Sequence, residues 1–246
     1  MNRSRIALVG VDADDTLWHN ETIYREAEEM FCDVLDAASG DDVRALRQEL
    51  LAIETGNVPL YGYGIKSFVL SMIETVARRE GDVVPTNRIQ DLLGIARWMI
   101  EHEVSLLDGV APTLRTLQRE YRLALITKGD ILDQRRKLSR SGVSDVFDRI
   151  EVVSEKDERV YREILLRCGV PPERFVMIGN SLKSDVLPVV AIGAAAIHIP
   201  YPHEWEHETV SRRVDEPGRQ RWMSTERFGD VPALLRSIDA NRCRGA

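Results

Sequence analysis

Cysteine is scarce: only Cys32, Cys168 and Cys243 occur in 246 residues, far apart and with no C-x-x-C pair. An odd, scattered set argues against a disulfide framework and fits a reducing, cytoplasmic setting. A basic excess is also lacking, since the formal net charge is -7. With no surplus Lys or Arg to displace phosphate counterions, nonspecific binding to nucleic acid is not expected. No apolar run approaches the roughly 20 residues that span a bilayer. The opening Met-Asn-Arg-Ser-Arg leads only into residues 6–11, where Asp12 interrupts the apolar stretch. That is too short for a signal-peptide core, so no membrane partner is expected. Internal repeats and low-complexity tracts are absent as well.

What the chain does have is 43% hydrophobic and 30% charged residues. Its length suffices for a large α/β domain, or for a core with a small insert. Residues 6–11, 123–127, 150–153, 175–179 and 195–199 are short runs rich in aliphatic and β-branched side chains. Such runs predict buried parallel strands. Helical patterns at 112–120, 131–139, 158–168 and 182–191 alternate with them, which predicts right-handed βαβ units in a doubly wound, mostly parallel Rossmann-like sheet. The alternation breaks between strands one and two. There, 21–38, 41–53, 65–79 and 88–102 predict helices, with Asp41-Asp42 as an N-cap and Gly56, Gly81 and Pro85 as punctuation. The domain expectation is therefore a core of 1–19 and 106–246 with an inserted helical cap of 20–105. Residues 212–221, charged and without periodicity, predict a surface loop.

The first strand ends in Asp12-Ala13-Asp14-Asp15-Thr16-Leu17. Ligands of open α/β sheets bind outside the carboxyl ends of the strands, so these carboxylates sit where chemistry is expected. Clustered like charges are costly, and a hard divalent cation with oxygen ligands, Mg²⁺ above all, offsets the repulsion. The second strand ends in Thr127-Lys128-Gly129, a hydroxyl and turn amides suited to phosphate oxygens. Lys156 follows the third strand. The fourth breaks at Gly179-Asn180-Ser181 into a helix that carries Asp185 in its first turns. Each feature has an ordinary account: Asp is common in turns, Thr ends many strands, a loop Lys is usually solvated, and Asp suits a helix N-terminus. Four strand tips that each present an appropriate group are harder to set aside.

This ordered set, from Ile6 to about Pro200, resembles the four motifs of the haloacid dehalogenase superfamily. The resemblance implies a Rossmann-like core with a helical cap inserted after the first motif. It implies that Asp12 is the nucleophile and Asp14 the general acid/base. Thr127, with Lys128, would bind phosphate, and Lys156 would neutralise charge. Asp185, with Asp12 and Asp14, would hold Mg²⁺, while Asn180 and Ser181 would stand beside the metal position. Many members have Gly-Asp where this chain has Gly179-Asn180, so one negative charge is missing. Dehalogenases of the superfamily generally lack the second Asp, so Asp14 points to phosphoryl transfer. The expected reaction is hydrolysis of a small phosphorylated metabolite, such as a sugar phosphate or nucleoside monophosphate. A noncatalytic phospho-ligand or protein-binding module and a phosphomutase are the alternatives.

Other features need placing. His203-Glu204-Trp205-Glu206-His207 matches H-E-x-x-H, which on a helix would hold zinc. Pro200 and Pro202 precede it and its flanks are charged, so the zinc reading is set aside. In the insert, Tyr61, Tyr63 and Lys66 around two glycines are candidate substrate contacts, or else local packing. Trp18 and His19 follow the first motif and either line the cleft or fill the hinge. His102 and His198 look structural.

Overall fold

The computed structural model describes residues 5–37, 40–81, 83–202 and 222–244. All four residues of β1 (Leu8–Val11) are buried, and both neighbours in the sheet run parallel to it. They are β2 (Leu123–Lys128) and β4 (Phe175–Gly179), flanked in turn by β3 (Arg149–Val153) and β5 (Ala195–His198). A sixth strand, β6 (Trp222–Ser224), pairs parallel with β5, so the order is β3-β2-β1-β4-β5-β6. The sequence reading did not anticipate β6. Three residues are too few to show a period, and its pairing partner is distant in the chain.

Alternation along the strands divides the core in two. Val9, Val11, Leu123, Leu125, Val176 and Ile178 face one side, where α5 (Val110–Leu117), α6 (Ile131–Arg140) and α9 (Val231–Arg244) contribute Leu114, Leu138 and Leu235. Leu8, Ala124, Ile126, Phe175 and Met177 face the other, against Ile164 of α7 (Glu158–Cys168) and Val189 of α8 (Leu187–Ala191). Burial on both faces explains why β1, β2, β4 and β5 read as largely apolar runs, whereas the edge-side β3 carries Arg149 and Glu151. The expected helix over 182–191 is two pieces instead: a π-helical turn, Leu182–Val186, precedes α8.

The chain divides into two compact units. The sheet unit comprises Met1–His19, Val104–Lys128 and Arg136–Ala246, and the helical unit comprises Asn20–Glu103 with Gly129–Arg135. The helical unit is built on α1 (Glu21–Val34), α2 (Gly40–Tyr61), α3 (Ile65–Glu80) and α4 (Thr86–Glu101) around Phe31, Leu50, Phe68, Met72 and Leu92. Two expectations need correction here. Helix α2 does not stop near Gly56: its buried face continues from Leu46, Leu50 and Ile53 to Asn57. The Asn57 amide donates to Ser71 Oγ (3.1 Å) and Glu74 Oε2 (2.9 Å), and these contacts offset the helix cost of one glycine, about 1 kcal/mol. Asp41 and Asp42 lie in the first turn of α2 rather than at its cap, where the positive end of the helix favours them. The pentapeptide 203–207 and the stretch 212–221 lie outside the described residues. Among those described, no helix is long and apolar enough to cross a membrane.

Glu54 of α2 is half-buried near two other acids. Burial first, then the carboxylates of Glu28 and Glu21, push it up from its ordinary 4.5 to about 8. Since the folded chain keeps this proton to higher pH than the unfolded chain, stability falls as pH rises from about 4.5 to 8. Glu54→Gln is expected to raise the Tm at pH 8.5 by about 2–4 °C and to leave it unchanged at pH 4.5. Thermal melts followed by circular dichroism check this, and equal gains at both pH values would refute it.

Candidate active site

The sheet order places the carboxyl ends of β2, β1 and β4 side by side, and three chemistry-bearing loops leave from there. The loop after β1 is tightly closed. The Asp12 amide donates to Ile178 O (2.9 Å), and the Asp15 amide donates to Trp18 O (2.8 Å). Asp15 adopts a positive φ of 59°, a conformation that Asp tolerates better than most residues and that turns the chain sharply. Asp12 is thereby held at the strand tip, only 6% exposed.

Lys156, brought in by the loop after β3, is 5% exposed. Its ammonium donates to Asp12 Oδ1 and to Asp185 Oδ1, the latter at 2.6 Å. Burial alone would lower the Lys156 pKa, but the two carboxylates outweigh it and hold the ammonium above the ordinary lysine value. Burial pushes the Asp12 carboxyl up to about 7; Lys156 pulls against this and Asp185 adds to it. Two carboxylates and one ammonium leave a buried net charge of -1 when all are ionised. Such a cluster favours a further positive charge.

Asp185 is 1% exposed and owes its placement to the π-helical turn. Ser181 caps that turn through its hydroxyl (Ser184 N–H, 3.1 Å), and the Ser181 amide donates to Asp185 Oδ2 (3.1 Å). The Tyr161 hydroxyl donates to Ser184 O (3.0 Å) from below. Gly179 is required by this packing. A Cβ there would lie 2.3 Å from both Cγ and Oδ2 of Asp185. Single π turns are frequent at functional sites, and here the turn directs one carboxylate back over its own strand.

The amide end of Asn180 lies among oxygens: 3.2 Å from Asp12 Oδ2, 3.2 Å from Thr16 Oγ1 and 3.3 Å from the Asp14 main-chain O. With its NH₂ turned toward them it donates to all three. With its oxygen turned toward them, the same atoms form an all-oxygen cluster of the kind that hard cations occupy. Among the described residues, no three acidic, His or Cys side chains converge as a ready cage. The oxygens that do converge therefore include a main-chain carbonyl, an amide and a hydroxyl with a single carboxylate. That donor set fits Mg²⁺, which takes few carboxylates and keeps water or substrate oxygens as ligands.

The remaining candidates fall as follows. Asp14 does not lend its carboxylate to that cluster; Oδ1 accepts from Trp18 Nε1 (2.7 Å) and Lys137 Nζ (2.7 Å). Thr127 is buried at the tip of β2, and Lys128 Nζ donates to Ser184 Oγ at 2.9 Å. In the helical unit, Tyr61 is 55% exposed at the end of α2 and Tyr63 is half-buried. Lys66 pairs with Asp130 at 2.6 Å. His19 bonds the Tyr201 hydroxyl (2.7 Å), and His102 stacks edge-on with Trp98. His198 does more than pack: its Nε2 donates to Asn180 O at 2.8 Å, and Trp222 of β6 lies against its ring. Sequence reasoning missed Thr16, Lys137, Tyr161 and this service of His198. Only His198 carried a usable signal, since it ends a strand beside the fourth motif.

A model of the haloacid dehalogenase-like hydrolase family matches residues 6–193. The crystal structure of a haloacid dehalogenase-like family hydrolase from Xanthomonas campestris is 40% identical, with a TM-score of 0.86 over 100% of this chain and 97% of that one. Glyceraldehyde 3-phosphate phosphatase of Methanothermobacter thermautotrophicus is 40% identical over 82 residues, 31% of this chain and 36% of that protein. N-acylneuraminate-9-phosphatase of Mus musculus is 30% identical over 145 residues, 57% of this chain and 55% of that protein. The chain thus spans about a third and about half of the length of these two curated relatives.

The close approach at Gly179 generates a prediction. Gly179→Ala must displace Asp185 and is expected to cost about 1–3 kcal/mol of stability. Urea denaturation measures this, and an unchanged midpoint would mean that Asp185 does not pack over Gly179.

Proposed function

This chain belongs to the haloacid dehalogenase-like hydrolase family, and from that premise we propose that it is a Mg²⁺-dependent phosphatase of small phosphomonoesters that works through a phospho-aspartate on Asp12. The observation that carries the reading is the Lys156 ammonium shared by Asp12 and Asp185 at the tip of the central strands. It sets a positive charge against two buried carboxyl groups, next to an oxygen cluster suited to a cation. Two curated relatives that share part of the chain are named phosphatases of small phosphorylated compounds, which supports the same class.

In this reading an Asp12 oxygen attacks phosphorus in line, and the bond from phosphorus to the alcohol oxygen breaks. Asp14 gives that leaving oxygen a proton. It then takes a proton from water, whose oxygen attacks the aspartyl phosphate and returns Asp12 as a carboxylate and phosphate as product. General acid–base assistance of this kind contributes about 10²–10⁴-fold. Thr127 and Lys128 bind phosphoryl oxygens, and Lys156 neutralises charge as it develops. Asp12, the Asp14 main-chain carbonyl and Asn180 would hold Mg²⁺, with Asp185 acting through Lys156, and the bound ion would supply positive charge for the phosphoryl oxygens. Substrate selection falls to the helical unit, with Tyr61, Tyr63 and Lys66 as the candidate contacts.

Hydrolysis of p-nitrophenyl phosphate with Mg²⁺ is expected, with loss of turnover in EDTA and in Asp12→Asn. Turnover that survives either would overturn the reading. Asn180→Asp is expected to lower the Tm without metal, since it puts a second carboxylate beside Asp12, and to enlarge the Tm rise on adding Mg²⁺. Melts with EDTA and with Mg²⁺ test this; a metal-induced rise no larger than in the wild type would remove Asn180 from the cation position.

A further inference from the structure

Asp14 is held by two donors from separate parts of the fold, and this constraint exceeds what a surface carboxylate needs. Trp18 is fully buried, and its indole nitrogen can only donate. A buried N–H left without an acceptor is costly, and Trp18 meets the need at Asp14 Oδ1, 2.7 Å away. Trp18 is itself fixed by backbone bridges to Asp14 and to Leu106. The second donor, Lys137, comes from the last turn of α6 and meets the same Oδ1 at 2.7 Å. The Asp14 and Lys137 side chains are 24% and 14% exposed, so the pair is partly shielded from water.

An aspartate side chain has two torsions. One hydrogen bond leaves it room to swing, whereas two donors from different elements meeting at one oxygen restrict both torsions. Proton transfer to a leaving oxygen requires that restriction, because reach and angle both govern it. We propose that Lys137 is a positioning residue for the acid/base reaction: with Trp18 it clamps Oδ1 of Asp14, so that the other carboxyl oxygen carries the proton to and from the reacting oxygen. The inference rests on the reading of Asp14 as the acid/base. It adds a residue from α6 that the four-motif pattern of the sequence did not contain.

The test exploits leaving groups. p-Nitrophenolate departs without a proton, whereas an alkoxide does not. The ratio of kcat/KM for propyl phosphate to that for p-nitrophenyl phosphate, measured on the Mg²⁺-loaded enzyme, therefore reports the acid step and cancels shared effects on phosphate binding. Lys137→Met is expected to lower this ratio at least tenfold, and Lys137→Arg, which keeps a donor in reach, to restore most of it. In an Asp14→Asn background, Lys137→Met should change the ratio less than twofold, because it has nothing left to position. Equal losses on both substrates would make Lys137 a general structural or phosphate-binding residue and overturn the proposal. A higher ratio in Lys137→Met would also overturn it, since the clamp would then restrain the acid. A ratio that Asp14→Asn shifts but Lys137→Met does not would sink the positioning role alone. A ratio unmoved by Asp14→Asn would sink the acid role and the inference with it.

Discussion

One ammonium joins three loops. Lys156 is buried and shared between Asp12, from the loop after β1, and Asp185, from the π turn after β4. Removing one partner from such a buried set leaves an uncompensated charge, which costs about 3–5 kcal/mol. The surrounding structure is arranged to hold it. Gly179 clears space for Asp185, Ser181 and Tyr161 brace the turn that carries it, and the sheet fixes Asp12 through the Ile178 carbonyl.

The charge balance of that set accounts for its neighbour. With one ammonium against two carboxylates, a further carboxylate at position 180 would be left without an offsetting charge. Asn180 avoids this, because an amide can donate to the nearby oxygens or accept in their place. A carboxylate there would attract a cation more strongly, but it would also be repelled by the two carboxylates already buried beside it. His198 and β6 then gain a purpose, since the His198 ring holds the Asn180 backbone that presents this amide.

Much of the fold was legible because both faces of the sheet are buried. β1, β2, β4 and β5 are apolar over most of their length, and amphipathic helices alternate with the strands. Legibility failed where the determining contact was distant in sequence or too short to show a period. β6 exists through pairing with β5, α2 passes Gly56 because Asn57 bonds to α3, and the helix after β4 opens into a π turn to place Asp185.

The sequence by itself determined which groups stand at the strand tips. A residue that ends a buried strand of a parallel sheet has little choice of position, so Asp12, Thr127 and Gly179 could be placed from hydrophobic pattern alone. Only the tertiary structure decided how those groups are used. It gave Lys156 to two carboxylates at once, offered the main-chain carbonyl of Asp14 to the oxygen cluster while its carboxylate went to Trp18 and Lys137, and turned Lys66 to Asp130. The physical reason is that side-chain partners depend on directions and distances between elements far apart in the chain, and periodicity along one element carries no record of them.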